Sequence, residues 1–85
     1  MYRLVYRRRA ARTLQRMPRQ MARRIVDKLE SLAASPLSPE HDVVALHGRP
    51  GYRLRIGGWR VIFLLDRGEM VILVLDVLTR GDAYK

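Results

Sequence analysis

The strongest constraint on the fold is the Gly57-Gly58 pair, which separates two runs rich in β-branched and aromatic residues. A two-residue Gly-Gly loop between such runs is typical of a tight β-hairpin. The register that follows pairs residues across the two strands: Ile56 with Trp59, Arg55 with Arg60, and Arg53 with Ile62. The hairpin therefore predicts which side chains share a face of the sheet.

Three arginines fall on one face of this hairpin, because successive side chains of a strand alternate between faces. They are Arg53, Arg55 and Arg60, and the opposite face carries Tyr52, Leu54, Ile56, Trp59, Val61 and Phe63. Like charges on opposed strand residues destabilise the pair by up to about 1 kcal/mol, and a bound anion would reverse that sign. Phosphate suits the fork of guanidinium donors. We interpret the trio as a candidate phosphate site; the alternative is that these side chains spread into water.

Composition limits the classes of protein that remain. The 85 residues form one domain, 1–85, and contain no cysteine, which excludes disulfides and thiolate chemistry. Seventeen Lys and Arg against eight Asp and Glu give a net charge of +9, which favours a polyanionic partner: nucleic acid, an acidic membrane or an acidic protein. The longest apolar run, Met70 to Leu75, is too short to cross a bilayer, so we expect a soluble cytoplasmic protein without a membrane partner.

The first half of the chain predicts a strand followed by two helices. Tyr2 to Tyr6 alternates as a strand does, and from Arg7 apolar residues recur at helical spacing. Pro18 breaks this run and can begin a second helix, which Ser35-Pro36 ends. The two apolar stripes are formed by Ala10, Ala11, Leu14 and Met17, and by Met21, Ile25, Leu29 and Leu32. We expect the helices to form an antiparallel hairpin.

Four arginines at the start of the first helix are candidates for RNA binding: Arg7, Arg8, Arg9 and Arg12. Cations at a helix N-terminus oppose the helix dipole, so folding does not favour the first three. Their presence indicates a polyanion contact, and the alternative is a solvated basic face. His41 and His47 fall in the Pro36 to Pro50 segment, which we interpret mainly as loop with a short anchor at Val43 to Leu46.

The last two strands create a second apolar face. A two-residue loop at Arg67-Gly68 would oppose Leu65 with Met70 and Phe63 with Ile72. The core face then carries Trp59, Val61, Phe63, Met70, Ile72 and Val74, and the other face carries Arg60, Ile62, Leu64, Val71, Leu73 and Leu75. One pair of helices cannot cover both faces, so the second face predicts a partner; terminal segments or a second copy of the chain are the alternative.

These patterns together resemble the RelE/ParE superfamily of bacterial toxin–antitoxin toxins. The resemblance covers nearly the whole chain and rests on Tyr2-Arg3-Leu4, Leu29-Glu30-Ser31-Leu32, Leu46-His47-Gly48, Tyr52-Arg53-Leu54-Arg55-Ile56-Gly57, Trp59-Arg60-Val61-Ile62-Phe63 and Arg80-Gly81-Asp82-Ala83-Tyr84. It implies an α+β fold of order β-α-α-β-β-β, with a small antiparallel-dominated sheet and a helical hairpin on one face. The elements read from the chain agree with that order.

The resemblance also implies two alternative activities. RelE-like toxins cut mRNA in the ribosomal A site without a metal or other cofactor, whereas ParE-like toxins inhibit DNA gyrase. By resemblance the catalytic residues are Arg53, Arg55, Arg60, Arg80 and Tyr84. An antitoxin partner, as an acidic amphipathic segment, is expected on the second apolar face at Ile62, Leu64, Val71 and Leu73. The all-arginine set leaves the general base open, because arginine stays protonated in proteins.

Overall fold

The computed structural model describes residues 1–79, so Arg80 and Tyr84 lie outside the described residues. The elements in chain order are β1 (Arg3–Tyr6), α1 (Arg8–Arg16), α2 (Arg19–Ala34), β2 (Val43–Ala45), β3 (Tyr52–Ile56), β4 (Trp59–Asp66) and β5 (Val71–Thr79). The predicted α+β class is confirmed. One more strand is present than expected, because the anchor before β3 pairs with it as β2.

The sheet has the order β1-β5-β4-β3-β2. Only β1 and β5 are parallel among these five strands, and the other three pairings are antiparallel. Both helices contribute to the core against one face of this sheet, through Ala10 of α1 and through Ile25, Leu29 and Leu32 of α2. The opposite face, called here the outer face, carries the arginines. Neither helix in residues 1–79 has the length and apolarity needed to span a bilayer.

The helix boundaries follow from Pro18 and Pro36, as predicted. Pro18, with φ −54°, caps the start of α2, and the Met17 N–H donates to the Thr13 carbonyl at the end of α1. The Ser35 N–H donates to the Ser31 and Leu32 carbonyls where α2 ends. α1 has neither a side-chain cap nor an acidic residue in its first turn. The basic start of α1 therefore has no local compensation for its dipole.

The predicted β3–β4 hairpin is confirmed in its loop and its register. Ile56 pairs with Trp59, Arg55 with Arg60 and Arg53 with Ile62. The first loop glycine, Gly57, has φ +58°, a conformation that a side chain disfavours, whereas Gly58 is not among the positive-φ residues. The hairpin therefore favours glycine at the first loop position.

The predicted two-residue loop between β4 and β5 is wrong. Asp66 pairs with Val71, so the turn contains the four residues 67–70, and Leu65 lies opposite Ile72 rather than Met70. The Asp66 carboxylate accepts the Glu69 N–H at 3.0 Å, which stabilises the longer turn. Met70, expected in the core, is 44% exposed with φ +55°. Since the register differs by two residues, Ile72 and Val74 keep their predicted face.

A β-bulge in β5 decides which of its later residues are buried. Ile62 pairs with Asp76 and Phe63 with Val74, which leaves Leu75 as an extra residue. Strict alternation from Val74 would place Asp76 in the core. The bulge instead sends Asp76 to the outer face and buries Val77, which is 2% exposed.

Candidate functional site

The three hairpin arginines lie together on the outer face. Arg55 of β3 is directly opposite Arg60 of β4, and Arg53 is opposite Ile62, diagonally across from Arg60. Opposed residues have Cβ atoms about 5 Å apart and diagonal ones about 7–8 Å apart. Long guanidinium side chains can therefore reach one small anion from all three positions. We call Arg53, Arg55 and Arg60 the arginine cluster.

Arg60 is the buried member of the cluster, with 5% of its surface exposed. Its Nη1 donates to the carbonyls of Gly57 at 3.2 Å and of Trp59 at 3.0 Å. Its Nε is buried and has no hydrogen-bond partner among the described residues. No carboxylate within residues 1–79 pairs with this guanidinium. A buried cation that has no anionic partner among the described residues is costly for folding, which makes Arg60 a candidate for binding an anion.

Arg55 is the exposed member, and it has a partner that the sequence analysis missed. Its Nε lies 2.7 Å from the Asp42 Oδ2, and its backbone N–H donates to the Asp42 carbonyl at 2.9 Å. Asp42 immediately precedes β2, whose Val44 pairs with Arg53. The signal in the sequence was the short anchor at Val43 to Leu46, which would have located Asp42 if it had been paired with β3 as residues 43–45 are in the structure. Extending that pairing by one residue places Asp42 beside Arg55.

The RNA-binding candidates at the start of α1 are all exposed. Arg7, Arg8 and Arg9 line a groove whose apolar wall is formed by Leu64 and Leu75. Arg9 also approaches the half-buried Asp76, with 3.5 Å between its Nη1 and Oδ2. Arg12 lies one turn further along α1 and does not line this groove. The structure thus brings the first three candidates to the edge of the outer face, and Arg9 also lines a groove with Leu78, the residue paired with Arg60.

The second apolar face is present where the pattern predicted it. Val71 and Leu73 of β5 lie between Arg3 and Val5 of β1 on one side and β4 on the other. Leu64, Val71 and Leu73 are partly exposed, whereas Ile62 is 4% exposed and offers little contact surface. Val5, at 36% exposure, extends the face. The apolar outer face is defined by Val5, Leu64, Val71 and Leu73.

The two histidines lie in loops, as expected. His47 is exposed, whereas the His41 side chain is only 2% exposed, with its Nε2 3.7 Å from the Glu40 carboxylate. The described residues contain no group of three or more His, Asp or Glu side chains that could hold a metal ion. Arg80 and Tyr84, the remaining catalytic candidates, fall outside residues 1–79. The described part of the site therefore consists of the arginine cluster and Asp42.

The fold and this basic outer face are those of a toxin domain of the RelE/ParE type. The sequence model for the ParE toxin of the type II toxin-antitoxin system, parDE, matches residues 2–84. The chain therefore belongs to this toxin family. A search of curated proteins gives no match.

Solved structures support the same assignment. The chain is similar to the toxin of the archaeal RelE-RelB complex from Pyrococcus horikoshii OT3, with 30% identity, a TM-score of 0.81, and coverage of 94% of this chain and 96% of that one. The fold also matches the intact E. coli RelBE complex at 21% identity and a TM-score of 0.77, covering 93% and 96%. The fold of the YoeB/ParE toxin from Agrobacterium tumefaciens also matches, at 16% identity and a TM-score of 0.76, with coverage of 91% of this chain and 96% of that one.

Proposed function

We propose that this toxin is a ribosome-dependent endoribonuclease that inhibits translation by cutting mRNA in the A site. The observation that carries the proposal is Arg60, which is buried, has no anionic partner among the described residues and lies beside two further arginines. Fixed positive charge in a water-poor position is what stabilises a phosphorane in its transition state. Of the two activities implied by the resemblance, only RNA cleavage needs that arrangement.

The proposed reaction is a transesterification within the RNA. The 2′-oxygen attacks the adjacent phosphorus, the bond from phosphorus to the 5′-oxygen breaks, and the products are a cyclic phosphate and a free 5′-hydroxyl. The 2′-hydroxyl gives its proton to water or to a group other than arginine, and the leaving 5′-oxygen takes up a proton. The guanidiniums supply the positive charge, so the step requires no metal ion.

The residues divide between orientation and charge stabilisation. Arg53 and Arg55 contact the RNA backbone first, because Arg60 is the most buried of the three. Arg60, with Arg80, then neutralises charge on the phosphorane oxygens. Tyr84 stacks on a base or takes part in proton transfer. The ribosome holds the mRNA in place, which makes positioning a large part of the rate enhancement. Arg7, Arg8, Arg9 and Arg12 add contacts to RNA phosphates.

We also propose a cognate antitoxin as the partner of the apolar outer face. The structural neighbours from Pyrococcus horikoshii and E. coli are complexes of RelE with RelB. An acidic amphipathic helix fits this surface, because Leu64, Val71 and Leu73 provide apolar contacts and Arg7, Arg8 and Arg9 lie beside them. The expressed toxin should copurify with such a helix from the neighbouring small open reading frame.

Inhibition of DNA gyrase is the second candidate, because the family model that matches the chain describes ParE toxins. Primer extension on mRNA from cells that briefly express the toxin distinguishes mRNA cleavage from gyrase inhibition. Cuts at fixed codon positions support the nuclease, whereas intact transcripts with DNA damage support gyrase inhibition.

The variant Arg60→Ala tests the role of Arg60 in cleavage. It should lower the cleavage rate by about 10²- to 10³-fold, because it removes the charge that stabilises the phosphorane. Arg67→Ala, at an exposed turn arginine, is the control of identical charge change. Wild-type cutting by Arg60→Ala would refute the proposed role of Arg60.

A further inference from the structure

Asp42 is an acidic residue that contacts the arginine cluster through Arg55. Its Oδ2 lies 2.7 Å from the Arg55 Nε, which is the length of a charge-assisted hydrogen bond. The Asp42 carbonyl also accepts the Arg55 backbone N–H at 2.9 Å. Two bonds therefore connect the same two residues, one fixing the backbone and one fixing the guanidinium.

The turn that presents Asp42 is itself held in place. The His41 N–H donates to the Ser38 carbonyl at 3.3 Å, and the Val43 N–H donates to the His41 carbonyl at 3.0 Å. The His41 side chain is 2% exposed and anchors this turn in the protein. Asp42 is thus presented from a preorganised segment, not from a freely moving loop.

A carboxylate at this position weakens the attraction of the cluster for phosphate, so anion binding alone does not explain why Asp42 lies beside Arg55. It does limit the orientation of Arg55. With Nε bound to Asp42, the guanidinium edge that contains Nε faces the carboxylate, and its other edge, formed by one N–H of each terminal nitrogen, stays available as a fork for a phosphate. The carboxylate also offsets the repulsion between Arg55 and its cross-strand neighbour Arg60.

We propose that Asp42 is a positioning residue that orients Arg55 toward the RNA phosphate. This inference rests on the proposed nuclease function. It assigns to Asp42 no contact with RNA and no proton transfer; its effect on cleavage passes through the guanidinium of Arg55.

The first measurement uses the free toxin and no RNA. The Nε–Hε group of Arg55, followed by nitrogen-15 NMR, should exchange its proton slowly in the wild type. In Asp42→Asn it should exchange as fast as that of the exposed Arg67. Glu40→Gln is the matched control, since Glu40 contacts His41 and not Arg55, and it should leave the Arg55 signal unchanged.

The second measurement is single-turnover cleavage of mRNA on programmed ribosomes. Asp42→Asn should lower the saturating rate by about 10- to 100-fold, because misplacing a positioned group has effects of that size, with half-saturation changing less than about 3-fold. Asp42→Glu should restore part of the rate. Arg55→Ala combined with Asp42→Asn should be no slower than Arg55→Ala alone.

Three results would overturn the proposal. An unchanged or increased rate in Asp42→Asn would show that the ion pair does not assist cleavage. Fast proton exchange at the wild-type Arg55 Nε would show that the guanidinium is not fixed. Loss of an acidic limb from the pH–rate profile in Asp42→Asn would make Asp42 a general base. If the wild type cuts no mRNA, the nuclease proposal fails, while slow exchange at Arg55 would still show that Asp42 fixes the guanidinium.

Discussion

At the scale of single residues, Arg60 combines a cost for folding with a use in the proposed reaction. It is 5% exposed, and its Nε has no partner within residues 1–79. The alternation of the hairpin placed this arginine on the correct face, but alternation carries no information on depth. The burial of Arg60 depends on the strands and side chains that surround it, and the alternation within one hairpin gives no information about these neighbours.

Replacing Arg60 by an apolar residue of similar length should therefore not weaken the fold. We expect Arg60→Met to be as stable as the wild type or more stable by about 1 kcal/mol, because it removes a buried charge for which the described part of the chain provides no anionic partner. Its cleavage should nevertheless be lost. Urea denaturation of the two proteins tests this, and a loss of stability of more than about 2 kcal/mol would show that the two carbonyl contacts of Arg60 support the hairpin.

Tyr6 provides a prediction for the pH dependence of stability. Burial, and secondarily the negative charge of Glu30, raise its pKa above the ordinary value of 10.0. The folded state thus holds the phenol proton more tightly than the unfolded chain does. This stabilisation is present below pH 10.0 and is lost as the pH rises through the folded pKa.

The comparison that isolates this effect is between the wild type and Tyr6→Phe. The difference in their free energies of unfolding should stay constant up to about pH 10 and should then decrease, because only the wild type can ionise at this position. Urea titrations from mildly to strongly alkaline pH provide the measurement. Parallel pH curves for the two proteins would contradict a raised pKa at Tyr6.

At the scale of elements, the residues of the turn predicted the β3–β4 loop correctly and the β4–β5 loop incorrectly. Gly-Gly predicted the β3–β4 loop correctly because a two-residue loop there agrees with the alternation on both sides. Arg67-Gly68 suggested an equally short loop, but the Asp66 bond to the Glu69 N–H favours a four-residue turn. Side-chain bonds of this kind compete with the shortest loop, and composition alone does not rank them.

The two loop glycines should differ sharply in tolerance to substitution. Gly57→Ala should destabilise the protein by about 1–2 kcal/mol, because Gly57 has φ +58°, where a Cβ meets the backbone. Gly58→Ala should change stability by less than about 0.5 kcal/mol, since a Cβ there meets no atom within 4 Å. Thermal unfolding of both variants is the measurement. Equal losses would indicate that flexibility of the whole loop, not the φ of its first residue, is required.

At the scale of the whole molecule, one face of the sheet packs against the helices and the other is the face on which we propose that partners bind. The helices cover the first face, and the second combines the arginine cluster with the apolar outer face. A net charge of +9 keeps such a surface in solution and attracts acidic chains. In the proposed function, RNA and antitoxin approach the same side of the sheet, so a bound antitoxin would block access of RNA to the arginine cluster.

Leu73→Lys tests whether the antitoxin binds the apolar outer face. The added lysine is positively charged, so the variant removes an apolar contact without repelling an acidic partner. We expect affinity for the antitoxin to fall by about 10- to 100-fold, because a buried leucine contributes about 1.5–3 kcal/mol. Leu37→Lys is the control, since Leu37 is 72% exposed in the loop after α2, away from the sheet. Calorimetric titration with the purified antitoxin measures both. Equal affinities for the two variants would place the antitoxin elsewhere on the toxin.

The sequence by itself determined the two helices, four of the five described strands, the register of the β3–β4 hairpin and the face on which each hairpin arginine lies. These features follow from periods of 2.0 and 3.6 residues and from glycine and proline, all of which act over a few neighbouring positions. Tertiary structure alone decided the contact of Asp42 with Arg55, the ion pair of Arg9 with Asp76, the bulge at Leu75 and the burial of Arg60. Each of these depends on residues distant in the chain or on a break in alternation, and no local period encodes either.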